Sequence, residues 1–250
     1  MNQPKNRTSQ IGFDDFRRLA SDDSLSKYER IGFPDEYRQG FESHIFADIV
    51  GKLDNLQLPK QNVLDIGPGC SDLPGMLIGL CEKNGHSLTL VDSEEMLQQL
   101  DDRPFITKVA ARYPDCPGLI DGLRETANVI LCYSVLQYIV LEAPFFRFLD
   151  DSLSLLAPGG QMLLGDIPNV SKRKRFFSSE TGVRFHKEFM RTADDPIVSF
   201  NQIEHDQIDD SIVFSILERA RSAGFDAYVL PQGRALPMAN RREDILIQRP

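Results

Sequence analysis

The chain has no tryptophan and only four histidines among its 250 residues. Its four cysteines, Cys70, Cys81, Cys116 and Cys132, form no C-x-x-C pair and no cluster with histidine. That spacing argues against a structural zinc site or a disulfide framework, and it fits a reducing cytosol. Long apolar runs are missing too. The greasiest stretch, residues 129–141, is interrupted by Ser134 and Gln137 and ends at Glu142, too short for a membrane span. The opening MNQPKNRTSQ lacks an apolar signal core. The sequence therefore predicts a soluble, cytoplasmic protein with no membrane partner. Positive charge is in deficit: 28 Lys and Arg against 37 Asp and Glu leave a net charge of −9. Such a balance disfavours nucleic acid as the main partner. With 41% hydrophobic and 26% charged residues, what remains is ordinary globular material. It is long enough to bury a core without covalent staples.

Apolar, β-favouring segments recur at residues 62–66, 87–91, 105–110, 127–132, 161–165, 226–230 and 243–248. Helical patterns separate the first five. One covers 72–83, and another covers 93–101 behind a Ser-x-Glu start. A third covers 142–156, with Phe145, Leu149, Leu153 and Leu156 on one face and Pro158-Gly159-Gly160 as its stop. Val213, Ile216, Leu217 and Ala220 repeat at helical spacing before the sixth strand, with Gly224 at the cap. This alternation predicts an α/β fold, a mostly parallel sheet with helices on both faces. Two stretches break the rhythm. Residues 11–57 look helical, with Phe13, Phe16 and Leu19 on one face, and residues 166–211 form a connection too long to be a plain loop. The expected division is a helical cap (1–57), a ligand-binding core (58–165), an insert acting as a lid (166–211) and a completion of the sheet (212–250).

In such a sheet ligands bind beyond the carboxyl ends of the strands. The segment VLDIGPGCSDLP (63–74) ends its strand in a turn where Gly67 and Gly69 let backbone approach a ligand, with a helix N-terminus behind them. The second strand ends at Asp92, 23 residues beyond Gly69 and placed to accept hydrogen bonds from both hydroxyls of a ribose. Turn and distal acid together indicate an adenosine-type ligand. No G-x-x-x-x-G-K-[ST] loop is present. Where the dinucleotide fingerprint needs a glycine the chain has Asp72, a carboxylate that would repel a pyrophosphate.

VLDIGPGCSDLP resembles the first motif of class I S-adenosylmethionine-dependent methyltransferases. LTLVDSEEML (88–97) resembles their second, ANVILCYSVLQYI (127–139) the segment around their fourth strand, and LAPGGQMLLGDI (156–167) that around their fifth. The likeness covers roughly residues 60–167 in order. It implies a doubly wound, seven-stranded Rossmann-like sheet whose last strand runs antiparallel, with S-adenosyl-L-methionine as the cofactor. On that likeness Asp65 helps hold the cofactor's charged amino end, and Gly67, Pro68, Gly69 and Cys70 wall its methionine part. Asp92 clasps the ribose, with Ser93 and Met96 beside ribose and adenine. Ala110 and Ala111 meet the adenine edge, and Cys132, Tyr133 and Ser134 run along the methionine chain. Two positions depart from the pattern: Ser71 replaces the third motif glycine, and Asn128 replaces an acid often found at the start of the fourth strand.

Methyl transfer can proceed largely by positioning, and a hydroxyl acceptor gains from a base. Asp166, at the end of the fifth strand, Tyr138, after the fourth, and His186, in the insert, are the candidate catalytic residues. No metal is expected, because the acid that metal-dependent relatives carry after strand four is missing. The Cys132-Tyr133-Ser134-Val135 run also lacks the [DNS]-P-P-[YF] motif of enzymes that methylate nucleic-acid amino groups. The expected acceptor is a small molecule methylated at oxygen, a sugar or secondary metabolite. An anionic sugar is one candidate, given the basic run Lys172-Arg173-Lys174-Arg175. Two alternatives stay open, a module that binds the cofactor without turnover and an NAD-dependent sugar enzyme. Nothing in the sequence sets the oligomeric state.

Overall fold

A computed structural model describes residues 11–202 and 204–250. Seven strands form one sheet: β1 (Asn62–Ile66), β2 (Ser87–Asp92), β3 (Ile106–Ala110), β4 (Ala127–Tyr133), β5 (Leu156–Pro168), β6 (Asp226–Pro231) and β7 (Arg242–Gln248). Their spatial order is β3-β2-β1-β4-β5-β7-β6. The first five are parallel, while β7 lies antiparallel between β5 and β6. Strand order reverses between β1 and β4, so the carboxyl ends of β1, β2 and β4 open on one crevice.

Before β1 come α1 (Phe13–Ala20), α2 (Asp35–Arg38) and α3 (Glu42–Lys52). Then follow α4 (Asp72–Asn84), α5 (Glu94–Leu97), α6 (Pro117–Leu123), α7 (Leu136–Glu142) and α8 (Phe145–Leu155). Residues 169–225 hold α9 (Val170–Phe177), α10 (Glu180–Met190) and α11 (Asp210–Ser222). None of these helices is long and apolar enough to cross a membrane.

Local chemistry explains the boundaries. Ser71 caps α4, its Oγ accepting from the Leu73 N–H at 3.4 Å, and Gly85 ends that helix at φ 69°. Asp209 caps α11 by accepting from the N–H groups of Ser211 and Ile212. Three expectations shift. The 142–156 helix starts only at Phe145 as α8, because Pro144, which lacks an N–H, separates it from α7, where Glu142 is the last residue. Leu156 already belongs to β5, so Pro158-Gly159-Gly160 lies inside the strand segment and does not stop a helix. The 93–101 pattern yields only the single turn of α5.

Each sheet face buries its own core. On one face Phe148, Leu149, Leu153 and Ile216 pack against Ile130, Met162 and Leu164. On the other, Ile45 and Ile49 of α3 and Leu77 and Cys81 of α4 cover Val63, Leu131 and Leu163. Each fully buried Leu, Ile or Phe contributes about 1.5–3 kcal/mol. The second core matters for the site, because it docks the amino-terminal helices onto α4 and the glycine turn.

Candidate functional site

A cavity lies beyond β1, β2 and β4. Its floor is the glycine turn. Gly67 and Gly69 adopt φ 71° and 65°, and a Cβ on Gly67 would meet Val135 Cγ2 at 2.6 Å, so neither position tolerates a side chain. The Gly69 N–H donates to Asp92 Oδ2 at 3.0 Å and the Ser93 N–H donates to Oδ1 at 2.7 Å. Asp92 is thus tied to the turn while one face of its carboxylate meets the cavity. Burial pushes its carboxyl up to about 6 against the opposing pull of those two N–H donors.

The residues proposed for the cofactor separate into wall and support. Gly67, Pro68, Gly69, Asp92, Met96, Ala111, Tyr133 and Ser134 line the cavity. Cys70, Ser93, Ala110, Cys132 and Asp65 do not. Ser93 caps α5, its Oγ accepting from the Met96 N–H at 3.3 Å. Ala110 pairs with Asp92 at the end of β3. Cys132 is fully buried in the core, and burial pushes the half-buried Cys70 thiol up to about 11. Asp65 sits in β1 between Leu90 and Leu131. Burial, reinforced by the like charge of Asp92, pushes its carboxyl up to about 8.

The catalytic candidates fare differently from one another. Tyr138 lines the cavity, its ring edge-on to Phe16 at 4.8 Å. Asp166 lies behind the wall and is already engaged. Its carboxylate accepts from Ser134 Oγ at 2.5 Å, from Gln232 Nε2 at 3.3 Å and from Arg242, with Arg38 Nη2 at 3.5 Å. A carboxylate holding two guanidinium groups is a structural hub and not a free base. His186 packs edge-on against Phe177 at 6.1 Å on α10, and none of the described residues of 166–211 lines this cavity. The basic run is consumed locally: Arg173 and Lys174 pair with Glu204, Arg175 with Asp210, and Lys172 Nζ donates to the Arg242 carbonyl at 2.6 Å. It forms no clamp at the cavity.

The amino-terminal segment closes the cavity instead. Phe13 and Phe16 of α1, with Ile31, Phe33 and Arg38, supply its outer wall. Arg38 is buried, its guanidinium 4.3 Å from the Phe33 ring centroid, and Nη2 donates to Ser134 Oγ at 2.6 Å. Glu142 accepts from the Phe13 N–H at 3.0 Å and pairs with Arg112 at 3.3 Å, latching α1 to α7. Sequence reasoning missed Phe33, Arg38, Arg112 and Glu142. Arg38 sits in a polar context (EYRQG) that reads as surface and Glu142 only ends an apolar run (VLEAP), so only the three-dimensional closure reveals them.

No family model and no curated relative matches the chain. Solved structures do. One chain of the complex between the Haloferax volcanii Trm112 methyltransferase activator and a methyltransferase superposes at TM-score 0.57 with 14% identity, over 94% of this chain and 98% of that one. The methyltransferase domain of bacterial CtHen1-C gives 0.54 at 14% identity, over 84% and 98%. A SAM-dependent methyltransferase from Aquifex aeolicus gives 0.50 at 14% identity, over 89% and 96%. At such identities the likeness establishes the fold, and the fold is that of class I S-adenosylmethionine-dependent methyltransferases.

Proposed function

We propose that the chain is an S-adenosylmethionine-dependent methyltransferase acting on a small molecule. The observation that carries the reading is Asp92, half-buried, fixed to the Gly69 N–H at 3.0 Å and lining a cavity at the strand-order reversal. Both its oxygens keep lone pairs for the two ribose hydroxyls. Gly67 and Gly69 leave room for the methionine chain, and Met96 and Ala111 offer an apolar slot for adenine. Bound there, the cofactor supplies an electrophilic methyl group on a sulfonium.

The chain's own contribution is positioning and exclusion of water. Phe13, Phe16 and Phe33 supply one wall of the cavity, which favours a small molecule over a polymer as the acceptor. The aromatic wall, with the Tyr133 and Tyr138 rings inside it, favours a flat or apolar acceptor bearing a hydroxyl over an anionic sugar. We take oxygen as the methylated atom, with Tyr138 orienting it; burial raises the Tyr138 phenol, so the hydroxyl stays protonated and donates. Calorimetry with S-adenosylhomocysteine tests the cofactor, and methyl transfer across a panel of phenolic and hydroxylated compounds tests the acceptor. Absence of S-adenosylhomocysteine binding by folded protein overturns the reading. A cofactor-binding module without turnover is the second reading, favoured by the full occupancy of Asp166. It predicts binding with no product from any acceptor.

A further inference from the structure

Glu42 opens α3, and its side chain is 4% exposed. Neither of its carboxylate oxygens has a hydrogen-bond partner among the described residues. The nearest cation, Arg38 Nη1, stands 4.0 Å from Oε1, beyond hydrogen-bond reach, and Arg38 Nη2 is committed to Ser134 Oγ. A buried acidic group left in this state is costly unless something completes it.

Its surroundings point to what does. Glu42 stands among Arg38, Ser71, Asp72 and Lys27, where the amino-terminal segment meets the start of α4. Lys27 is held by Asp72. Ser71 and Arg38 both line the cavity, and Ser71 follows the glycine turn by two residues. With ribose on Asp92, a ligand's amino-acid end runs along the glycine turn to that corner. An amino-acid end carries one cation and one anion, and the corner has one cation on its wall, Arg38, with one anion, Glu42, directly behind it.

We infer that Glu42 is the counter-ion for the α-ammonium group of the bound cofactor, an inference that rests on the cofactor reading above. An ammonium entering between Ser71 and Arg38 replaces a loose 4.0 Å contact with a charge-assisted hydrogen bond. The amino-terminal segment then reads the cofactor's amino acid as well as covering it. Asp65 and Glu42 both stand behind the cavity wall; Glu42 is the one set beside Arg38 and Ser71, which line it. Burial also holds the Glu42 carboxyl above the usual range, as expected of an acid awaiting a cation.

The test is a cycle of two proteins and two ligands, the wild type and Glu42→Gln, each titrated with S-adenosylhomocysteine and with its analogue bearing hydrogen in place of the amino group. In the wild type, loss of the amino group should weaken binding about tenfold or more, as for a charged hydrogen bond, and Glu42→Gln should erase that difference. An unchanged difference in Glu42→Gln overturns the inference and leaves the cofactor reading standing. Equal binding of both ligands by the wild type overturns it too, through a protein whose folding is not in question. No binding of S-adenosylhomocysteine by the wild type removes the cofactor reading itself.

Discussion

The amino-terminal segment and the 166–211 insert both interrupt the strand–helix rhythm, and both carry aromatic residues and clustered charge. Only the first faces the cavity. Its charges reach across to the core fold: Arg17 to Glu95, Lys27 to Asp72, Arg38 to Asp166. The insert's charges stay near home, Arg173 and Lys174 on Glu204 and Arg175 on Asp210. Its aromatics behave likewise, with Phe176, Phe177, Phe185 and Phe189 stacking on one another and Phe189 57% exposed. A run of four basic residues is the more conspicuous feature in sequence, yet what decides a role is where the partner acids lie. The insert brings most of its own; the amino-terminal segment finds partners on α4, α5 and β5.

The largest expected effect is on the amino-terminal side. Arg38→Met strips one guanidinium from buried Asp166 and takes from Glu42 its nearest cation. It should cost about 3 kcal/mol in urea unfolding, as for breaking a buried pair. His186→Ala, its counterpart in the insert, should leave both stability and ligand affinity within twofold; a large loss there would erase the contrast. Next comes Phe16→Ala, which removes the edge contact to Tyr138 and part of the cavity wall. Affinity for S-adenosylhomocysteine should fall about tenfold, the low end of what a buried phenyl ring contributes. Phe185→Ala in the insert should leave that affinity unchanged.

Much of the sheet was legible because strand periodicity and turn residues act locally: seven strands and the Gly67–Gly69 turn sit where the pattern puts them, β5 running longer at both ends, while the antiparallel β7 is what the family resemblance implied. Asp92 was legible for the same reason, since the end of β2 fixes its place beside the turn. The covering residues were not. Arg38, Glu42 and Glu142 acquire meaning only when α3 packs on α4 and α1 is latched to α7, contacts between residues tens to over a hundred positions apart. Asp166 illustrates the opposite error. Its position at the end of β5 was read correctly, but the two arginines that occupy it come from α2 and β7, at distances no local motif reports.

The contrast has a pH dimension with opposite signs on the two sides. Beneath and within the amino-terminal cover, burial raises the carboxyls of Asp65, Asp92 and Glu42. A group with a raised folded value binds a proton that the unfolded chain has released, so stability is lost as pH rises from about 4 towards 8. Asp65→Asn should remove most of that slope between pH 6 and 8 and stabilise the ligand-free protein at pH 8 by a few kcal/mol. Urea midpoints at the two pH values check it, and a wild-type midpoint independent of pH in that window would contradict the buried-carboxylate account.

In the insert the sign reverses. Arg175 and Asn169 hydrogen-bond Asp210 and hold its carboxyl below the usual range, outweighing the upward push of burial. The stability this pair contributes is present above the ordinary carboxylate value near 4 and is lost as pH falls through the lowered one. Because Arg175 is half-exposed, solvent screens the pair, so Arg175→Gln should cost under about 1 kcal/mol at pH 7. It should leave S-adenosylhomocysteine affinity untouched. A fall in that affinity beyond threefold would show that the insert communicates with the cavity after all, and the amino-terminal segment would no longer be its sole cover.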